Sequence, residues 1–265
     1  MHRLARYVRF CVDPFDVEVR QGSNPYSAKP TAQGLALFLE LGVQVIGPVE
    51  STTGFVIDVL RIDEAVRHWA VPCFVDHVRD CYGRHTPIGL SDVAVLLRTS
   101  QEHLKDHLGT ARLDALSLKL SPFRYVEIRT EDPDMVYYSE KFEFAAMHRL
   151  WNKALSRSEN LALFGKCANP AGHGHNYVME VIVRVPSDQE VDPLGLERVV
   201  DERFVQVVDH RSLNADVPYF AQLNPTMENI ARFAWQGLVG RLGTAELYCV
   251  TIWESDRTSC SYYGE

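Results

Sequence analysis

His148, His173 and His175, with Cys167 between them, are the residues whose types and spacing best suit chemistry in this chain. They lie in F-E-F-A-A-M-H-R-L at 142–150 and F-G-K-C-A-N-P-A-G-H-G-H-N-Y at 164–177. Three neutral imidazoles make a catalytic-type zinc site when the fourth position is left to water or substrate. A thiol beside such a cation, following Lys166, is expected to have a lowered pKa and to serve as base or nucleophile. His173 and His175 stand two apart, so on a strand both project from one face, and His148 near the end of a neighbouring strand reaches the same face. An isolated H-x-H is more often structural than metal-binding, and the third histidine at strand spacing shifts that balance. Gly174 between the two ligands is expected to permit close backbone approach.

Other candidates are weaker taken alone. Asp209-His210 in V-V-D-H-R-S-L-N can form a relay in which the carboxylate orients the imidazole, although Asp is also a common turn residue. Glu254 ends the apolar run Y-C-V-T-I-W and reads as a strand-end carboxylate reaching solvent. Its alternative is bidentate acceptance from a planar, amidine-like edge. His103 and His107 share the H-x-x-x-H spacing, but Leu104 stands where a metalloprotease helix carries Glu, and an ordinary solvated helix face is the expectation. The cysteines other than Cys167 read as small apolar fillers.

The elements that must position these groups follow from periodicity. Residues 138–148 alternate, placing Phe142, Phe144, Ala146 and His148 on one face. Residues 175–185 make a second strand, and 193–207 look helical. Pro225-Thr226 opens a helix through about Arg241, with Thr226 as N-cap and Glu228 in the first turn. Tyr248–Trp253 and Ser259–Tyr263 close as a hairpin. The first half repeats this order: strands at Tyr7–Val12 and Leu35–Gly47, a helical region after G-F-V-I-D at 54–58, a helix over Ser91–Leu108, and a hairpin of Leu116–Leu120 with Phe123–Arg129. The seam is the polar T-E-D-P-D at 130–134. The first half has no H-G-H, and Ser121 stands where the second half has Glu254, so it reads as non-catalytic.

The chain has 265 residues, 46% of them hydrophobic and 23% charged, which suits a globular fold with a real core. A net charge of -8 gives nonspecific nucleic-acid binding no electrostatic support. No apolar run reaches membrane-spanning length, and the basic start lacks a signal-peptide core. Six cysteines without C-x-x-C spacing fit reduced thiols in a cytoplasmic protein.

Five stretches together resemble the 6-pyruvoyltetrahydropterin synthase family of the tunnelling (T-fold) superfamily. They are F-x-F-x-A-x-H-R-L at 142–150, E-N-L-x-L-F-G-K-C-x-N-P-x-G-H-G-H-N-Y at 159–177, V-D-H-R-S-L-N-x-D-V-P-Y-F at 208–220, P-T-M-E-N-I-A at 225–231 and W-E-S at 253–255. The resemblance implies an α+β architecture of two tandem T-fold domains, 1–132 degenerate and 133–265 catalytic. Each would be a four-stranded antiparallel sheet with two helices on one face, assembling into a β-barrel homo-oligomer with active sites at subunit interfaces. A trimer of tandem chains would reproduce a six-domain assembly. By the same resemblance His148, His173 and His175 would bind zinc, and Cys167 would be the general base with Asp209 and His210 as relay partners. Glu254 would anchor a pterin ring, with Thr226, Met227 and Glu228 forming its wall; the family commonly has a small polar residue where Met227 stands, a change that a backbone contact survives. The implied reaction converts 7,8-dihydroneopterin triphosphate to 6-pyruvoyltetrahydropterin, for tetrahydrobiopterin synthesis, with loss of triphosphate and no nicotinamide. The related 6-carboxytetrahydropterin synthases of the queuosine pathway usually have a shorter Cys to H-G-H spacing, and the five residues between Cys167 and His173 favour the pyruvoyl type. A zinc- and pterin-binding protein without turnover is the remaining alternative.

Overall fold

A computed structural model describes residues 1–15 and 35–264, and the chain divides into two compact units. One comprises Met1–Tyr138 with Pro186–Val191, the other Ser139–Val185 with Asp192–Glu265.

In the first unit β1 (His2–Val12), β2 (Leu37–Gly47), β3 (Arg112–Ser121) and β4 (Arg124–Arg129) form an antiparallel sheet in that order. Alternation drives it: Val8, Phe10 and Val12 of β1 and Leu41, Val43 and Val45 of β2 are buried. Three helical elements follow β2. α1 (Val59–Ala65) continues through a π turn (Val66–Ala70) into α2 (Val71–Arg84), and α3 (Leu90–Leu104) comes next. Asp58 caps α1 by accepting from the Leu60 N–H at 3.0 Å. Arg6 donates to both carboxylate oxygens of Asp63, at 3.0 and 2.7 Å, and so pairs a charge that is only 2% exposed.

The second unit carries β5 (Asp132–His148) from Ser139 onward, β6 (His173–Pro186) up to Val185, β8 (Glu246–Ser255) and β9 (Thr258–Tyr262), hydrogen-bonded in that order. Between β5 and β6 sit α4 (Arg157–Phe164) and a 3-10 turn (Gly165–Ala168). After β6 come α5 (Pro193–Val200), a π turn (Asp201–Val205), α6 (Gln206–Val208), the two-residue β7 (Arg211–Ser212), α7 (Leu213–Asp216) and α8 (Met227–Leu238). β7 pairs in parallel with Ala146 and Met147 of β5. α8 buries Ile230, Ala231, Ala234 and Leu238, a helical stripe, and packs on β8 and β9. Phe144 stacks on Tyr177 with ring centroids 4.9 Å apart, and Phe204 meets Phe144 edge-on at 5.1 Å. That cluster forms the floor under the candidate site.

Strand and helix expectations hold in type and shift at their ends. The polar seam at 130–134 is not a linker: Thr130-Glu131 make a tight turn and Asp132 already begins β5. α3 stops at Leu104 rather than Leu108, and α8 at Leu238 rather than Arg241. α4 lies where a polar insert was expected. Its sign was present in the sequence, because Ser156 and Glu159 form a reciprocal capping box.

The two units share local irregularities as well as element order. β2–β3 and β6–β8 each slip register once, between Gln44 and Val45 and between Ile182 and Val183. β3–β4 and β8–β9 each slip near the hairpin end, around Leu120 and around Glu254.

Candidate active site

The site is built on two strands and the rim of a third. His148 is the last residue of β5, and His173 and His175 open β6. The β6–β8 register pairs Met179 with Ile252, so Glu254 belongs to the face of β8 that matches His175 and Tyr177 on β6. A bulge re-aims the residue it inserts. The ladder to β9 passes from Trp253 to Ser255 and skips Glu254, whose carboxylate turns onto the histidines.

Ligand atoms of His148, His173, His175 and Glu254 all lie within 4.8 Å of one another, a grouping able to hold a metal ion. His148 Nε2 is 3.0 Å from His173 Nε2 and 3.4 Å from Glu254 Oε1. A tetrahedral zinc ion with bonds of about 2.0–2.1 Å holds its donors about 3.3 Å apart, close to these spacings. The orientation of His148 is fixed from behind. Its Nδ1 donates to the Pro225 carbonyl at 2.8 Å, which leaves Nε2 with its lone pair toward the cluster. His175 Nε2 is buried without an aligned hydrogen bond, although Glu254 Oε1 is only 2.8 Å away. A short approach without hydrogen-bond alignment is what a nitrogen and an oxygen turned toward a common cation present. The residues therefore fit a divalent metal by donor type, spacing and tautomer.

Charges inside the cluster follow burial. Burial first, and the neighbouring imidazoles next, press the His148 pKa down, keeping it neutral and able to ligate. His175 is lowered by burial against the opposing pull of Glu254. Tyr177 beneath the site is pushed well above the usual phenol range by burial, then by Glu254 and Cys167.

Cys167 lies on the 3-10 turn after α4, and its carbonyl accepts from the Leu150 N–H at 2.8 Å, tying the turn to the end of β5. The expected low thiol pKa is reversed in the protein alone. Burial and then the Glu254 carboxylate raise it above 9.0. Lys166 is exposed, and the acidic neighbour rather than the adjacent lysine sets the field.

Asp209 and His210 are anchored on β5. Asp209 Oδ1 accepts from the Ala145 N–H at 2.8 Å, and the His210 N–H donates to the Ala145 carbonyl at 2.6 Å. Asp209 Oδ2 is 2.8 Å from His210 Nδ1, and His210 adopts a left-handed φ of 54°. The Ala145 N–H first, then His210, hold the Asp209 carboxyl below its usual range. The His210 side chain is 81% exposed, and among the described residues neither member of the pair hydrogen-bonds to Cys167.

Thr226 caps α8, its hydroxyl accepting from the Asn229 N–H at 3.4 Å, followed by half-buried Met227 and exposed Glu228. Pro225, one residue earlier, is the acceptor for His148, so the proposed pterin wall and the cluster share one segment. His103 and His107 do not form a second site. His103 Nδ1 lies 3.4 Å from the Trp69 carbonyl, and His107, beyond the end of α3, stacks on Trp69 at 4.4 Å. Gly174 is not the constrained glycine: a Cβ there meets nothing closer than 3.7 Å, whereas Gly172 has φ +71° and a Cβ would lie 3.0 Å from the His148 carbonyl oxygen. Register also places Leu120, not Ser121, opposite Glu254 in the comparison of the two units.

An antiparallel α+β unit that gathers three imidazoles and a carboxylate beside a thiol defines a class of protein, one equipped to hold a metal ion next to an ionisable sulfur. A family model described as 6-pyruvoyl tetrahydropterin synthase matches residues 137–265. The 6-pyruvoyl tetrahydrobiopterin synthase of Homo sapiens is 43% identical over 135 residues, covering 48% of this chain and 90% of that protein. The protein of the same name from Pongo abelii matches to the same extent. The solved structure of Caenorhabditis elegans 6-pyruvoyl tetrahydropterin synthase is 35% identical and covers 49% of this chain and 96% of its own, with a TM-score of 0.44. The chain belongs to the 6-pyruvoyl tetrahydropterin synthase family and is an enzyme, a lyase.

Proposed function

We propose that this enzyme is a zinc-dependent 6-pyruvoyltetrahydropterin synthase acting on 7,8-dihydroneopterin triphosphate. The observation that carries the reading is the convergence of His148, His173 and His175 with Cys167 on the adjoining turn, in a stretch of 135 residues that is 43% identical to proteins of that name. His148, His173 and His175 would hold the ion. When bound, zinc supplies a dipositive field that polarises the substrate side-chain oxygens and favours the Cys167 thiolate. Cys167 moves the side-chain protons as general base. Thr226 and Met227 offer backbone groups to the pterin, and Glu228 supports that wall.

Glu254 has two roles open to it, and they exclude each other at any one moment. As a fourth ligand it would close the position that a catalytic site keeps open. As an acceptor for the amidine-like edge of the pterin it would leave that position to substrate. We assign it the second role. Glu254→Gln is then expected to keep zinc and raise KM, whereas a ligand role predicts loss of zinc.

His210 is exposed and, among the described residues, makes no hydrogen bond to Cys167. A second copy completes the relay in this reading, which supports a homo-oligomer, with a trimer of tandem chains as the proposed form. The chain would be two T-fold domains, 1–132 non-catalytic and 133–265 catalytic, the sheets closing into a barrel. A strict monomer at micromolar concentration by light scattering overturns this part.

The test of function is incubation of zinc-loaded protein with 7,8-dihydroneopterin triphosphate and identification of the product by mass spectrometry. A 6-pyruvoyl product is expected from the five-residue Cys167–His173 spacing. A 6-carboxy product keeps the site and changes the reaction to that of the deazapurine pathway. No product from zinc-loaded, pterin-bound protein leaves a binder and refutes the proposal.

A further inference from the structure

β2, β3 and β4 of the first unit correspond in register to β6, β8 and β9 of the second, and the correspondence shows which residues stand at two of the cluster's positions. Leu41 pairs with Leu118 and Gln44 with Ala115 before the slip to Val45–Leu113. Met179 pairs with Ile252 and Ile182 with Cys249 before the slip to Val183–Leu247. At the hairpin end the ladder steps from Lys119–Tyr125 to Ser121–Arg124, passing over Leu120, as it steps from Trp253–Ser259 to Ser255–Thr258, passing over Glu254. Each unit also carries a π turn in its helical segment, at Val66–Ala70 and at Asp201–Val205. π turns are rare. Two register slips and one π turn in the same order fix the alignment without sequence identity.

That alignment puts Leu37 where the second unit has His175, Leu39 where it has Tyr177, and Leu120 where it has Glu254. Both ligand positions that the register carries across, those of His175 and Glu254, hold leucine in the first unit. The space has not closed. Leu37, Leu39, Leu118 and Leu120, with Phe74 and Val78 from α2, line a cavity of about 720 Å³. Pockets of roughly 300–1,000 Å³ take small organic ligands.

We propose that this cavity is a binding site for an uncharged, apolar small molecule, occupying in the first unit the place that the metal cluster occupies in the second. The inference deepens, and rests on, the tandem-domain reading proposed above. The lining sets the ligand class. Among the described residues it contains no Asp, Glu, Lys or Arg, and none of the described lining residues matches a triphosphate or holds the guanidine-like edge of a pterin. Its polar members are Tyr82, His85 and Thr86, near the C-terminal end of α2, and the Thr86 hydroxyl is turned to the Cys81 carbonyl at 3.4 Å. A ligand gains chiefly by removing its apolar surface from water.

The test uses the full chain and the uncharged fluorophore N-phenyl-1-naphthylamine. Saturable binding of one probe per chain at micromolar concentration is expected. Leu39→Glu and Leu120→Lys, both at partly exposed positions, are each expected to weaken it at least about tenfold, the effect of 1.4 kcal/mol, with circular dichroism unchanged. A His173→Ala/His175→Ala chain is expected to lose metal and keep the probe, which separates this proposal from the catalytic one. Zinc content by mass spectrometry is expected to be one ion per chain. Absence of saturable binding, as when a second copy of the chain fills the cavity, refutes the proposal, and so does binding that both leucine variants leave unchanged. Two zinc ions per chain overturns the replacement of the ligands.

Discussion

Replacing Gly172 by Ala tests how the cluster is held, and Gly174 supplies an internal control. Gly172 has φ +71°, and a Cβ built there lies 3.0 Å from the His148 carbonyl oxygen and 3.2 Å from Met147 Cγ. A left-handed backbone costs a non-glycine residue about 1–2 kcal/mol. The backbone contact cannot be relieved by a rotamer change, because the oxygen belongs to the residue that carries one of the imidazoles. Relief requires the start of β6 to move by a few tenths of an ångström, taking His173 away from its 3.0 Å approach to His148. Gly172→Ala is therefore expected to cost about 1–2 kcal/mol in total, divided between a loss of stability in the metal-free protein, where the strain is retained, and a loss of metal affinity of up to about 30-fold, where the strand moves to relieve it. Gly174 has no positive φ, and its nearest neighbour is Ala146 O at 3.7 Å. Gly174→Ala should stay within about 0.5 kcal/mol of the parent and keep its metal affinity. Urea denaturation of metal-free protein measures the first quantity, and competition with a chromogenic chelator measures the second. Equal effects at the two glycines, or a larger one at Gly174, would refute the assignment of Gly172 as the strained support.

Arg6→Met leaves the 2%-exposed Asp63 carboxylate without its fork and should cost about 3–5 kcal/mol, while Arg6→Met/Asp63→Leu recovers most of it; a single-variant loss below about 1 kcal/mol in urea places the pair with ordinary surface bridges. The Asp209 pKa lies below its unfolded value of 3.8, so its contribution is full above that pH and fades as pH falls through the folded value. The stability gap between the parent and Asp209→Asn should accordingly narrow only below about pH 3.8, and a gap that closes near neutrality contradicts the assignment. In metal-free protein Cys167 should react with iodoacetamide more slowly than an unperturbed thiol, because burial and then Glu254 raise its pKa. Peptide-resolved mass spectrometry reads this, zinc is expected to hasten the reaction at pH 7, and rapid alkylation of metal-free protein at that pH contradicts it.

The parts of the site written in strand periodicity were legible in the sequence. Phe144, Ala146 and His148 alternate, as do His173, His175 and Tyr177, and period-2 alternation alone predicts a shared face. Capping signals were equally local: Thr226 caps α8, and the Ser156–Glu159 box announced a helix that the polar composition of the insert concealed. What escaped depended on tertiary neighbours or on register slips. Glu254 meets the histidines because the β6–β8 register sets it on their face, and its exclusion from the β9 ladder by a one-residue bulge leaves no mark in a run such as Y-C-V-T-I-W-E. The same slip shifted the first-half equivalent from Ser121 to Leu120. The sign of the Cys167 shift was set by burial and by a carboxylate distant in sequence, neither of which the adjacent Lys166 reveals. Gly172 and Gly174 look alike in G-H-G-H, and only the backbone dihedral separates them.

The paired π turns order events in the history of the chain. A π turn takes one residue more per turn than the α-helix around it, and such irregularities are rare. Finding one at Val66–Ala70 and another at Asp201–Val205 is more simply explained by a single acquisition followed by copying than by two independent insertions. On the tandem reading, the ancestral unit already carried the irregular helix and both register slips when the gene doubled, whereas the two units differ at the positions of Leu37 and His175 and of Leu120 and Glu254. On that reading, scaffold irregularities are better markers of common descent in such chains than the residues that do the chemistry.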